Sequence, residues 1–221
     1  EPESAMDVVE KGLAHDPRRG DLLLLKGRAL VELGDSEQAL VILRALVEQE
    51  PRDSNARYFL GMVLHELGRY DEALAVYRLL RADDPAFTPA CMGEASTLLA
   101  LNRQNEALAA LQPLLAEANE NPPLAMTIGQ FFEYADDPAR ALEYYRKAMM
   151  LDPDEPMYYP LVIELSMRLG DQAGARQTID RLLELDPVLG AETLLTFFPP
   201  TPARGSGALE QAFFSAAPDL P

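Results

Sequence analysis

"YFLGMVLHELGRYDEALAVYRLLRADDP", from Tyr58 to Pro85, is the stretch on which the reading of the whole chain turns. Tyr58, Phe59, Leu60, Val63, Leu64 and Leu67 recur at the three- and four-residue spacing of an amphipathic helix. Gly68 predicts its end, because glycine accepts a left-handed backbone at a helix C-terminus without a Cβ clash. Asp71 and Glu72 then open a second helix, where negative charge meets the positive end of the helix dipole. Ala73, Leu74, Val76, Tyr77 and Leu80 line its apolar side, and Pro85 prevents it from continuing. The dense ionisable cluster of His65, Glu66, Arg69, Tyr70, Asp71 and Glu72 thus divides between helix ends and a turn. Small residues at Gly61 and Ala73 are expected to let the two helices approach closely.

The same pattern recurs along the chain. Pro17, Pro51, Pro85, Pro153 and Pro187 lie on a grid of 34 residues, broken only at Asn119, which Pro122 and Pro123 follow. Ala5, Ala39, Ala73, Ala107, Ala141 and Ala175 stand twelve residues before each grid point. A third series is Gly34, Gly68 and Gly170, with Asn102 and Asp136 in the same slot; both residues tolerate a left-handed backbone. Gly27, Gly61 and Gly129 form a fourth, replaced by Ala95 and Ile163. Pro89, Pro123, Pro138 and Pro160 all fall at or near a predicted first helical turn, where a missing N–H matters little.

A 34-residue helix–turn–helix with Gly, Gly, Ala and Pro at these offsets resembles the tetratricopeptide repeat. The resemblance implies an all-α fold, a right-handed α-solenoid, with first helices lining a concave groove and second helices facing outward. The expected division is an outer helix of a partial repeat over 1–19, five repeats over 20–189, a short capping helix over 190–200, and a linker and tail over 201–221. Two departures stand out. The first helix lacks an inner partner and the chain opens at Glu1 without Met, which leads to the expectation that sequence upstream has been removed. Pro113 falls inside a predicted outer helix and Asn119 replaces a grid proline, so a local irregularity is expected between the third and fourth units.

Composition narrows the function. The net charge of −17, from 36 acidic and 19 basic residues, repels phosphate backbones, and no Lys/Arg run offsets it, so no nucleic-acid partner is expected. No run of eighteen apolar residues occurs, so membrane insertion is not expected either. Cys91 is the sole cysteine, which excludes an intrachain disulfide and slightly favours a reducing, cytoplasmic setting. His15 and His65 fall in different repeats, with neither a second His nor a Cys at metal-ligand spacing, so no metal, cofactor or catalytic residue is expected. The chain reads as a non-enzyme.

Carrying the family's inner-helix pattern onto this chain assigns groove positions. They are Leu24 and Arg28, then Tyr58, Met62 and His65, then Met92 and Ser96. Met126, Gln130 and Glu133 follow, and Met157, Glu164 and Met167 complete the set. Five of the eight methionines fall there, and flexible thioethers suit an adaptable apolar binding surface. The competing reading has those methionines sealing neighbouring helices together. Some family members grip a C-terminal carboxylate with Lys and Asn at set inner positions; Leu24, Arg28, Tyr58 and Met62 hold those slots here, which disfavours such ligands. The expected function is a protein-interaction scaffold for a peptide or protein segment of unknown identity. The alternatives are a regulatory or substrate-recruiting arm of a larger enzyme, and an architectural part of a secretion or envelope assembly. Self-association through solenoid ends or the tail is a further expectation, since Leu209, Phe213 and Phe214 follow a breaker-rich linker.

Overall fold

A computed structural model describes residues 2–199, and every regular element among them is an α-helix. In chain order these are α1 (Pro2–His15), α2 (Gly20–Glu32), α3 (Ser36–Gln49), α4 (Ser54–Glu66), α5 (Tyr70–Asp83) and α6 (Thr88–Ala100). Then come α7 (Gln104–Glu117), α8 (Pro122–Tyr134), α9 (Pro138–Leu151), α10 (Tyr158–Arg168), α11 (Gln172–Leu185) and α12 (Pro187–Phe197). The helices pair as 34-residue helix–turn–helix repeats, the arrangement of an α-solenoid. Leu209, Phe213 and Phe214 lie outside the described residues. The chain divides into two compact units, one ending at Thr127 and the other beginning at Ile128, within α8.

In the first unit α1 to α7 pack in chain order, each on the next, and the odd-numbered members carry the outer positions of the repeat. In the second, α9, α10, α11 and α12 follow the same rule, with α12 also touching α10. Each turn between the helices of a repeat needs one residue with positive φ. Gly34, Gly68 and Gly170 supply it at +81°, +71° and +82°, and Asn102 and Asp136 at +58° and +54°. The expected slot is occupied by the expected residue types.

Packing inside a repeat is a matter of matched volumes. A Cβ on Gly27 would lie 2.9 Å from Leu43, one on Gly61 2.7 Å from the Tyr77 ring, and one on Gly129 2.5 Å from the Tyr145 ring. The space above Gly61 is therefore filled by an aromatic ring from the second helix. Tyr77 and Tyr145 are both almost fully buried. The Tyr77 ring also crowds Gly93 on α6, so a single side chain ties one repeat to the next.

Outer helices end in one of two ways. Glu50, Asp84, Asp152 and Asp186, each followed by proline, leave α3, α5, α9 and α11 with φ between −128° and −141°. Proline forbids helical geometry in the residue before it, and the helix stops there. At α7 the cap is Ala118, with φ −61° and ψ −14°, and Asn119 and Glu120 continue in tight turns. Pro113 is exposed and α7 runs past it to Glu117. The irregularity lies in the helix end, where Asn119 replaces proline, and the chain's division into two units falls in the next helix.

Candidate functional site

Within the first unit α4 packs against both α2 and α6, which places three inner helices side by side. Gly27 and Gly61 face the second helix of their own repeats, so the residues turned away from that seam remain for solvent or a ligand. Leu24 is half-buried and Arg28 exposed on α2. The Arg28 guanidinium stands 5.2 Å from the Phe59 ring centre, a cation–π contact that spans α2 and α4. Tyr58 meets Phe59 edge-on at 5.4 Å and lies 6.4 Å from Tyr77. Burial raises the Tyr58 phenol pKa, so it stays neutral. Met62, Met92 and Ser96 are all half-buried, as is Met126 on α8.

His65 is more constrained than its groove assignment implies. Its Nδ1 lies 2.9 Å from Thr97 Oγ1 on α6, and that hydroxyl sits 2.7 Å from the Gly93 carbonyl oxygen. The carbonyl can only accept, so the hydroxyl donates to it and receives the Nδ1–H bond from His65. Nε2 is then an acceptor, and burial holds the imidazole pKa below its ordinary value. His65 therefore ties two repeats together while offering one neutral acceptor.

The second unit treats its candidate residues differently. Gln130 and Glu164 are exposed, and Met157 is 55% exposed at the residue before α10. Glu133 accepts a 2.5 Å hydrogen bond from the Tyr145 hydroxyl. Met167 packs against the cluster of Tyr159, Ile163, Ala175, Ile179 and Leu182. The structure therefore groups Leu24, Arg28, Tyr58, Met62, His65, Met92 and Ser96 on adjacent helices of the first unit. In the second, Glu133 and Met167 are engaged in packing, as Leu24 and Tyr58 also are against the core of the first.

Sequence reasoning missed a buried carboxylate, paired with two arginines, on the other side of α6. Glu94 is only 5% exposed, and both Arg78 and Arg81 of α5 bind its carboxylate, Arg78 Nε at 2.9 Å. Cys91, one turn earlier, is buried and its S–H points to the Pro85 carbonyl oxygen at 3.4 Å, with burial raising the thiol pKa. Such a thiol is protonated and inert. Among the described residues, no three of His, Cys, Asp and Glu gather as a metal site, and no helix is long and apolar enough to cross a membrane.

Sequence profiles of the tetratricopeptide repeat match residues 24–86, 64–130 and 123–155, together more than half of the chain. The chain is a tetratricopeptide-repeat protein. Solved tetratricopeptide-like structures share its fold. The type IV pilus biogenesis factor PilW is 19% identical, over 85% of this chain and 90% of that one, with a TM-score of 0.62. A thermophilic tetratricopeptide protein of Thermus thermophilus is 24% identical, over 80% of this chain and 100% of that one, with a TM-score of 0.56. MamA from Desulfovibrio magneticus is 23% identical, over 76% and 96%, with a TM-score of 0.54. No curated protein matches this tetratricopeptide-repeat chain.

Proposed function

We propose that the chain is a non-catalytic protein-interaction scaffold, and that the face shared by α2, α4 and α6 receives a peptide or protein segment with apolar anchors. The observation that carries this reading is the incomplete burial of Tyr58, Met62 and Met92 on adjacent inner helices. Apolar side chains that only sealed helix to helix would be covered; these keep area for a ligand to remove from water. Covering apolar surface is worth about 25 cal/mol per Å², so a few such anchors supply useful affinity.

The polar groups around the anchors set orientation. Arg28, held over Phe59, presents a guanidinium to a carbonyl or carboxylate, and His65 Nε2 accepts a donor such as a backbone N–H. His65 is locked by Thr97 and Tyr58 by Phe59, so the face is ordered before the ligand arrives. A rigid receptor spends little entropy on binding, and only the incoming segment is ordered. An extended or helical ligand fits this scheme, with side chains seated on the methionines.

The test uses a peptide selected against the full chain from a random display library. Titration into protein with labelled methionine methyl groups should shift Met62 and Met92 and leave Met149 and Met150 in place. Selected peptides that move neither Met62 nor Met92 would contradict the reading.

A further inference from the structure

The outer helices of the first unit turn an apolar band to solvent. Val41 and Ala45 on α3, Ala75 and Leu79 on α5, and Ala109 and Pro113 on α7 are all exposed. Val41 keeps 69% of its surface in water and Leu79 60%. The opposite side of each helix is covered, at Leu43, Tyr77 and Leu111. The three outward faces adjoin: Arg44 of α3 lies 2.6 Å from Glu72 of α5, and Arg78 of α5 lies 4.0 Å from Glu106 of α7. The repeat itself does not demand apolar residues here. The same positions hold Asp7 and Lys11 on α1, Glu143 and Lys147 on α9, and Gln177 and Arg181 on α11. The band exposes on the order of a few hundred Å² of apolar surface, the size at which such a patch marks an interaction site.

Acids run along both margins of the band. Glu37, Asp71 and Glu106 stand in the first turns of the three helices, and Glu48, Asp83 and Glu117 in the final turns; all six are exposed. Asp83 is paired with Arg57 and Glu106 with Arg103, whereas Glu37, Glu48, Asp71 and Glu117 form no ion pair among the described residues. The two arginines on this surface, Arg44 and Arg78, are drawn to Glu72 and Glu94. The band is therefore apolar in the middle and negative on both sides. A second copy of a chain with a net charge of −17 would bring the same acids against them. The complement is a segment with one apolar side and cations on both flanks, which an amphipathic basic helix supplies.

Its length follows from the band. A helix is about 10–12 Å across, so three side by side span about 30 Å, the length of about 20 helical residues. We infer that a basic amphipathic helix of a partner protein lies across α3, α5 and α7, its apolar side on Val41, Leu79 and Pro113 and its Lys and Arg side chains over the two acidic margins. The band belongs to different helices from the α2, α4 and α6 face, so either can bind without the other.

The experiment titrates the full chain with a synthetic helical peptide about 20 residues long, Leu along one side and Lys on both flanks. Docking predicts methyl shifts at Val41, Ala75, Leu79 and Ala109, with Met62 and Met92 unmoved. A peptide of the same composition, shuffled so that no apolar side forms, should bind about tenfold more weakly. Val41→Ser/Leu79→Ser, which keeps every charge, should also weaken the first peptide about tenfold. Glu37→Gln/Glu48→Gln/Asp71→Asn should weaken it about tenfold at low salt, while Glu143→Gln/Asp180→Asn/Glu192→Gln removes the same charge in the second unit and leaves binding unchanged. Equal affinity for the shuffled peptide, or equal losses from the two charge variants, overturns the inference, because net charge alone then accounts for binding. Shifts at Met62 and Met92 in place of Val41 and Leu79 overturn it and assign the peptide to the inner face. A dimer of the free chain that Val41→Ser/Leu79→Ser dissociates overturns it as well, and assigns the band to a second copy.

Discussion

In the first unit, Arg78 reaches inward to the buried carboxylate of Glu94 and outward toward Glu106; in the second, Arg146 on the same grid slot reaches the Ser166 hydroxyl and the Asp171 cap. One arginine is held between two acids, the other between a neutral hydroxyl and the single carboxylate that caps α11. The repeated backbone is the same in both places, and single residues decide which partners each arginine meets. Repeat folds permit this because each unit is stabilised by its own helices and its neighbours alone.

The largest way to break the comparison is at Glu94. Glu94→Ala removes the carboxylate shared by Arg78 and Arg81, whose own side chains are 51% and 21% exposed, and the lost charge-assisted hydrogen bonds cost about 1.5–3 kcal/mol. Ser166→Ala in the second unit removes only a neutral hydroxyl partner, for about 1 kcal/mol. Urea unfolding of both variants checks the ranking; equal losses would mean that the two arginines are held alike. Arg44→Ala opens the exposed Arg44–Glu72 rung and should cost less still, about 0.5 kcal/mol, an effect that shrinks in high salt.

The smallest effect sharpens the electrostatics around Arg146. The Gly174 backbone N–H, and after it Arg146, hold the Asp171 carboxyl below the usual carboxylate range. A group depressed in the folded state contributes stability above its unfolded pKa, and that contribution fades as pH falls through the folded value. In Arg146→Ala the Asp171 titration should move up yet stay below the ordinary range, because the stronger backbone bond survives. Carboxyl NMR titration reads this directly, and no movement would remove Arg146 from the account.

Much of the fold was legible because its signals are local. Gly34, Gly68, Asn102, Asp136 and Gly170 each answer a backbone requirement, and proline positions foretold where outer helices stop. Glu94 was not legible. Nothing in "TPACMGEASTLLA" marks it as buried, since its surroundings come from Arg78 and Arg81 on another helix. The same holds for His65, which the sequence places among the groove candidates and the structure bonds to Thr97.

The central claim is that the α2, α4 and α6 face of this tetratricopeptide-repeat chain binds a segment through apolar anchors. The most direct measurement is the affinity of a selected peptide for the native chain and for Met62→Glu/Met92→Glu, with matched helical circular dichroism. Losing apolar burial on each anchor predicts at least a tenfold weaker Kd, about 1.4 kcal/mol. An unchanged Kd in a folded variant would contradict the account.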